Sequence, residues 1–209
     1  MSTKRRAFIT NLTAGLAILS TSHSLSAEPK SPDDPWLEYL RDKKQKAFVD
    51  VGHFFVDSST LRRTGFMLTA LHDHYGVDTT AIGAVFGAHG SGYGHLMSQA
   101  AWDEFKIIDL VAPQLLPDDI ATLRTPGKKW GTTSAESVAA LQSRGVRFLA
   151  CDNTLAKWSR IIATERGVSV DSISKQLVAG LLPGVERVPA MSAAAIVAQA
   201  RGVGYVAMT

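Results

Sequence analysis

The single cysteine of the 209 residues, Cys151, follows the apolar run Val146-Arg147-Phe148-Leu149-Ala150. That run reads as a strand handing over to a helix opened by Asn153 or Thr154. A thiol at such a junction faces free backbone N–H groups and the positive end of the helix dipole. Both favour the thiolate, which is the reactive form. The alternative is a buried cysteine serving as a small apolar residue, and position alone leaves the two open. Specific cysteine chemistries can be tested against the text. A cysteine phosphatase needs Cys-x5-Arg so that the guanidinium clamps phosphate with two parallel hydrogen bonds; here that position is Lys157. With no second cysteine, dithiol redox chemistry and a cysteine-rich zinc site are excluded.

Histidines stand at the ends of two other strands. Ala47-Phe48-Val49-Asp50-Val51 exits at Gly52-His53, and Ala81-Ile82-Gly83-Ala84-Val85-Phe86 leads through Gly87-Ala88 to His89. If the three strands are parallel neighbours, His53, His89 and Cys151 share one sheet edge, where α/β proteins bind ligands. His89 is the candidate proton shuttle, imidazole being the side chain suited to passing protons at neutral pH. Gly87-x-x-Gly90-x-Gly92-x-Gly94 lies between a strand and a helix and suits an anion cradle of inward-turned N–H groups. It matches neither the dinucleotide fingerprint nor the P-loop, and tight backbone packing is the plainer reading. Position 89 is not Gly, so Ser91 has no nucleophile elbow around it. Cys151 and His89 are therefore the candidate catalytic residues. Gly90, Gly92, Asn153 and Thr154 are the candidate anion-binding ones. His72 and His74, two apart on a helix, do not share a face and read as surface. His89 and His95, with His53 or Cys151, could ligate a metal, but no known ligand spacing is present. No metal or cofactor is called for.

The elements that must position these residues alternate. Trp36 to Lys46 reads as a short helix. Leu61, Leu68, Leu71 and Tyr75 recur at helical spacing across residues 60–75, and a helix is expected at 95–105. Residues 106–133, with Pro113, Pro117, Pro126, Gly127 and Gly131, read as an irregular excursion, a loop or lid. Helices are expected from Ser134 to Gly145, from Asn153 or Thr154 through Trp158 and Ile162, from Asp171 through Leu181, and from Ser192 to Arg201. Strands are expected at 184–189 and 204–208. Five short strands alternating with helices predict an α/β three-layer sandwich around a mostly parallel sheet, of flavodoxin-like type.

Composition sets the outer limits. Apolar residues make up 45% and charged residues 20% of the chain, which excludes disorder, collagen and a disulfide scaffold. There is no apolar run of membrane-spanning length, so a multi-span membrane protein is excluded. The net charge of +3 resides in Lys4, Arg5 and Arg6; the remainder balances. No clustered basic face is present, so nucleic acid is not an expected partner.

Residues 1–27 read as an export address. Lys4-Arg5-Arg6 precedes a modest apolar run, Leu12 to Leu19, and a small-residue region ending at Ala27. The paired arginines resemble the twin-arginine class, with Lys4 in place of the usual Ser or Thr. Cleavage is expected before Ala27 or Glu28. No cysteine lies there to take a lipid, so no membrane contact is expected after cleavage. The mature chain is expected in a bacterial periplasm, with residues 28–44 as linker and short helix and residues 45–209 as the α/β domain.

Three stretches together resemble the DsrE/DsrF-like family of sulfur-handling proteins. They are the buried strand ending in His89-Gly90; Gly145-Val146-Arg147-Phe148-Leu149-Ala150-Cys151-Asp152-Asn153-Thr154; and Leu182-Pro183-Gly184-Val185-Glu186-Arg187-Val188-Pro189 followed by Gly202-Val203-Gly204-Tyr205-Val206. The resemblance covers about residues 45–209. It implies a compact α/β sandwich, assembly as a homo-oligomer (trimer or hexamer), and a cysteine at the position of Cys151 that carries sulfur as a persulfide. It departs from the family in two ways. The sulfur-relay members are cytoplasmic, and the 106–133 segment is larger than a minimal domain needs. Two functions follow as expectations. One is a periplasmic sulfur carrier or sulfurtransferase acting on a small sulfur-containing or anionic ligand. The other is a non-enzymatic protein of the same fold that binds a small ligand or metal.

Overall fold

The structure is a computed structural model and describes residues 34–208. Residues 1–27, where an export address is expected, and the first part of the expected linker lie outside the described residues. The chain begins with helix α1 (Pro35–Arg41), strand β1 (Gln45–Val51) and helix α2 (Ser59–Asp73). Strand β2 (Ile82–Ala88) leads into a 3₁₀ segment, Gly90–Leu96. Helices α3 (Gln99–Glu104), α4 (Ile107–Val111), α5 (Pro117–Leu123) and α6 (Trp130–Ser143) follow. The remainder is strand β3 (Arg147–Cys151), helices α7 (Asp152–Arg166) and α8 (Val170–Ala179), strand β4 (Val185–Val188), helix α9 (Met191–Ala200) and strand β5 (Gly204–Met208).

The five strands form one all-parallel sheet in the order β4-β3-β2-β1-β5. The expected α/β sandwich is thus present, with every pairing parallel. From β1 to β4 the chain steps across the sheet in one direction. It then returns past β1 to place β5 on the far edge. Right-handed crossovers put the helices of the outward steps on one face and the helix of the return step on the other. The core follows this rule. Val49, Val51, Phe86, Ala88, Phe148 and Ala150 pack with residues of α2 to α8. Phe48, Val85, Leu149, Cys151 and Val188 point the opposite way and pack with α1 and α9. Strand alternation therefore commits Cys151 to the thinner layer.

Residues 106–133 are not a loop or lid. They form α4, a 3₁₀ turn and α5, with Pro117 in the first turn of α5, where a missing N–H costs nothing. Ile107, Val111 and Leu123 are buried in the larger core. Helix α6 starts at Trp130, so Ser134 is a buried residue within it rather than a cap. The helix after β3 begins at Asp152, with Cys151 itself in the capping position. Among the described residues no helix is long and apolar enough to cross a membrane.

Candidate functional site

At the carboxyl ends of β1, β2 and β3 an open cavity of about 470 Å³ is lined by Asp50, His89, Gly90, Cys151, Asn153, Thr154, Lys157 and the Ala190–Ser192 turn. Register explains the gathering. Asp50 pairs with Gly87, Gly87 with Leu149, and Cys151 with Val188. Asp50 shares the face of Phe48, and Cys151 that of Leu149. His89, two residues beyond Gly87, comes off the end of β2 above that face. The structure thus brings together Cys151, His89, Gly90, Asn153 and Thr154.

His53 is not among them: it is exposed and lines no part of this cavity. Its expected place at the end of β1 is taken by Asp50. The Nε2 of His89 lies 3.1 Å from Asp50 Oδ1, and the hydroxyl of Tyr205 donates to Asp50 Oδ2 at 2.5 Å. Half-burial pushes the Asp50 carboxyl up, but the hydrogen bonds from His89 and Tyr205 outweigh it and hold the group below its usual range. The same bond to Asp50, with help from burial, pushes Tyr205 up to about 12. The imidazole of His89 rests on Gly52, where a Cβ would come within 3.1 Å of the ring and push it aside by a few tenths of an ångström.

Cys151 is 4% exposed. Its thiol has hydrocarbon from Leu149, Val188 and Met191 in its packing cluster, and it lines the cavity as well. Two helix N-termini meet at the cavity. Cys151 precedes α7 and Ala190 precedes α9, and neither helix has a side-chain cap. Their first-turn N–H groups lack intrahelical partners and carry partial positive charge. The carboxylate of Asp152 in the first turn of α7 is drawn away by Arg187, which grips it with bonds of 2.7 and 3.0 Å. Lys157 adds a full positive charge at the rim.

The amides of the glycine-rich segment have partners within the fold. Gly90 N–H donates to Thr154 Oγ1 at 3.0 Å, Ser91 N–H to Gln114 Oε1 at 3.2 Å, and Gly92 N–H to the Gly52 carbonyl at 3.3 Å. These amides are spent on holding the segment to β1, α7 and the turn after α4. Gly92 is buried and lies outside the cavity; a Cβ there would meet the Val51 carbonyl oxygen at 2.5 Å. It is a packing glycine. The uncapped N–H groups at this cavity are those at the starts of α7 and α9.

His95 is not available to a metal. It is fully buried, stacked on Phe54 at 4.3 Å, and accepts from Phe55 N–H at Nε2 while Nδ1 faces Ser134 Oγ at 3.4 Å. Among the described residues no group of three or more His, Cys, Asp and Glu side chains is placed to hold a metal. Burial drives the His95 imidazole down to about 3. The unfolded chain takes up that proton near pH 6.5, while the folded chain refuses it until about pH 3. Stability therefore falls as pH drops below 6.5, by about 2 kcal/mol between pH 7 and pH 5 from this group. Urea unfolding at the two pH values should show this loss, and His95→Gln should remove it. Equal losses in both proteins would contradict the assignment.

No protein-family model and no curated protein matches the sequence. The chain is similar to the solved structure of a protein of unknown function from Methanobacterium thermoautotrophicum, at 16% identity and a TM-score of 0.42, over 78% of this chain and 99% of that one.

Proposed function

We propose that this chain is a sulfur carrier or sulfurtransferase in which Cys151 accepts a sulfane sulfur from a small anionic donor such as thiosulfate or polysulfide. One observation carries the reading. The single thiol, a carboxylate-bound imidazole and two uncapped helix N-termini line one cavity. The reading agrees with the DsrE/DsrF-like resemblance of the Cys151 step, and the export address and periplasmic location belong to the same proposal.

The chemistry balances without an added oxidant. Cys151 gives its proton to His89, and the thiolate sulfur attacks the outer sulfur of thiosulfate. The sulfur–sulfur bond of the donor breaks, and its electron pair leaves with sulfite. Cys151 then carries a persulfide. An acceptor thiolate attacks the terminal sulfur, and the Cys151 thiolate departs as the leaving group. The N–H groups at the ends of α7 and α9, with Lys157, hold the anionic donor and stabilise the charge that moves. The low exposure of Cys151 restricts the reaction to slender donors.

Mass measurement of the protein after exposure to thiosulfate or polysulfide should show the gain of one sulfur atom on wild type and none on Cys151→Ala. No adduct on wild type, or the same adduct on the variant, would reject the proposal. The burial of Cys151 favours a second reading, a binding protein in which the thiol only packs. In that case thermal stabilisation by an anion would persist in Cys151→Ala.

A further inference from the structure

The geometry points to Tyr205 and Asp50 as a positioning pair that fixes the His89 imidazole as the Nε2–H tautomer, leaving Nδ1 as the basic nitrogen at the cavity that Cys151 also lines. This rests on the sulfur-transfer reading for its consequence, though not for its geometry. Asp50 is the next-to-last residue of β1, with one carboxylate oxygen toward each neighbour. Oδ1 meets His89 Nε2 and Oδ2 accepts from the Tyr205 hydroxyl. A carboxylate can only accept, so the proposal assigns the hydrogen to the ring nitrogen that lies 3.1 Å from it. The other nitrogen is then the base.

Tyr205 is held in turn. Its ring stacks on Phe48 at 6.5 Å with planes 12° apart, and its residue pairs with Phe48 in the β1–β5 register. The aromatic contact therefore aims the hydroxyl at the next residue but one along β1. A Tyr205 hydroxyl serving only packing would not need this bond, since the side chain is 43% exposed and water could serve it. The other titratable groups facing this chain are Cys151 and Lys157, which line the same cavity.

The test uses Tyr205→Phe, which keeps the stack on Phe48 and removes the hydroxyl, and Asp50→Asn. Nitrogen-15 NMR of the imidazole should show His89 as the Nε2–H tautomer in wild type and a mixture in Asp50→Asn. Carbon-13 titration should show the Asp50 carboxyl moving up in Tyr205→Phe. Persulfide formation in Tyr205→Phe should slow about tenfold, part of the ~10²-fold or more that acid–base catalysis contributes. An unchanged tautomer in Asp50→Asn together with an unmoved Asp50 carboxyl in Tyr205→Phe would overturn the assignment, whatever the sulfur assay gives. Both shifts present without any persulfide on wild type would leave the positioning pair standing and defeat the sulfur-transfer reading instead.

Discussion

His89→Ala is expected to slow persulfide formation on Cys151 by about 10²-fold or more, the range that a positioned proton acceptor supplies. The fold should survive the change. The His89 side chain is 39% exposed, and its attachment to the sheet runs through the backbone, where its N–H donates to the Val51 carbonyl at 3.0 Å. Deleting the ring removes the base and frees Asp50 to bind water. Stopped reactions quenched and weighed at intervals give the rate, and circular dichroism checks the fold. A rate within threefold of wild type, on the scale of the tenfold-per-1.4-kcal/mol relation, would remove His89 from the mechanism. The same assay at rising pH adds a second check, because hydroxide then replaces the missing base and the deficit should shrink.

Trp158→Ala is expected to cost about 3–5 kcal/mol of unfolding free energy, as loss of a buried aromatic commonly does. That is a large part of the ~5–15 kcal/mol that holds a domain together. Trp158 is among the largest fully buried side chains. It sits on α7 with its ring edge-on to Tyr93 at 5.1 Å. Tyr93 belongs to the 3₁₀ segment that follows His89, and burial pushes its hydroxyl well above the usual range. Trp158 is therefore the wedge between the segment after β2 and the helix after β3, the two elements that carry His89 and the N-terminus facing Cys151. Urea denaturation gives the loss directly. A change below about 1 kcal/mol would mean that the space collapses around the deletion.

The strands were legible because each is a short apolar run with a clear stop. Residues 81–86 read as buried on both faces, and β2 is buried at every position from Ile82 to Ala88. Cys151 and His89 were legible because strand ends in parallel sheets are where chemistry gathers. Asp50 was passed over. One acid in an apolar strand is ordinary, and its meaning depends on Tyr205, which is 155 residues away. Only the register of β1 with β2 and β5 reveals the pair. The glycine-rich segment misled for a related reason. Composition shows that amides can be turned inward, but whether they are free depends on Thr154, Gln114 and Gly52, which sequence spacing does not connect. The 106–133 stretch misled through its prolines and glycines, which punctuate short helices as readily as loops. The clue was the spacing of Ile107 and Val111, four apart on one helical face.

The first strand of the sheet and the last lie side by side, and the residues around Cys151 are drawn from β1, β3, the segment after β2, the start of α7 and the helix of the return step. A chain that has formed β1 to β4 has its thiol and its imidazole but lacks the hydroxyl that β5 delivers. On the proposed sulfur-transfer reading, the set of groups is complete only with closure of the far edge, the pairing of greatest separation along the chain and hence the slowest to nucleate. Until the return-step helix and β5 close, the single thiol lacks the cover that Met191 gives it, so late closure of the far edge is the interval in which it lies open to side reactions.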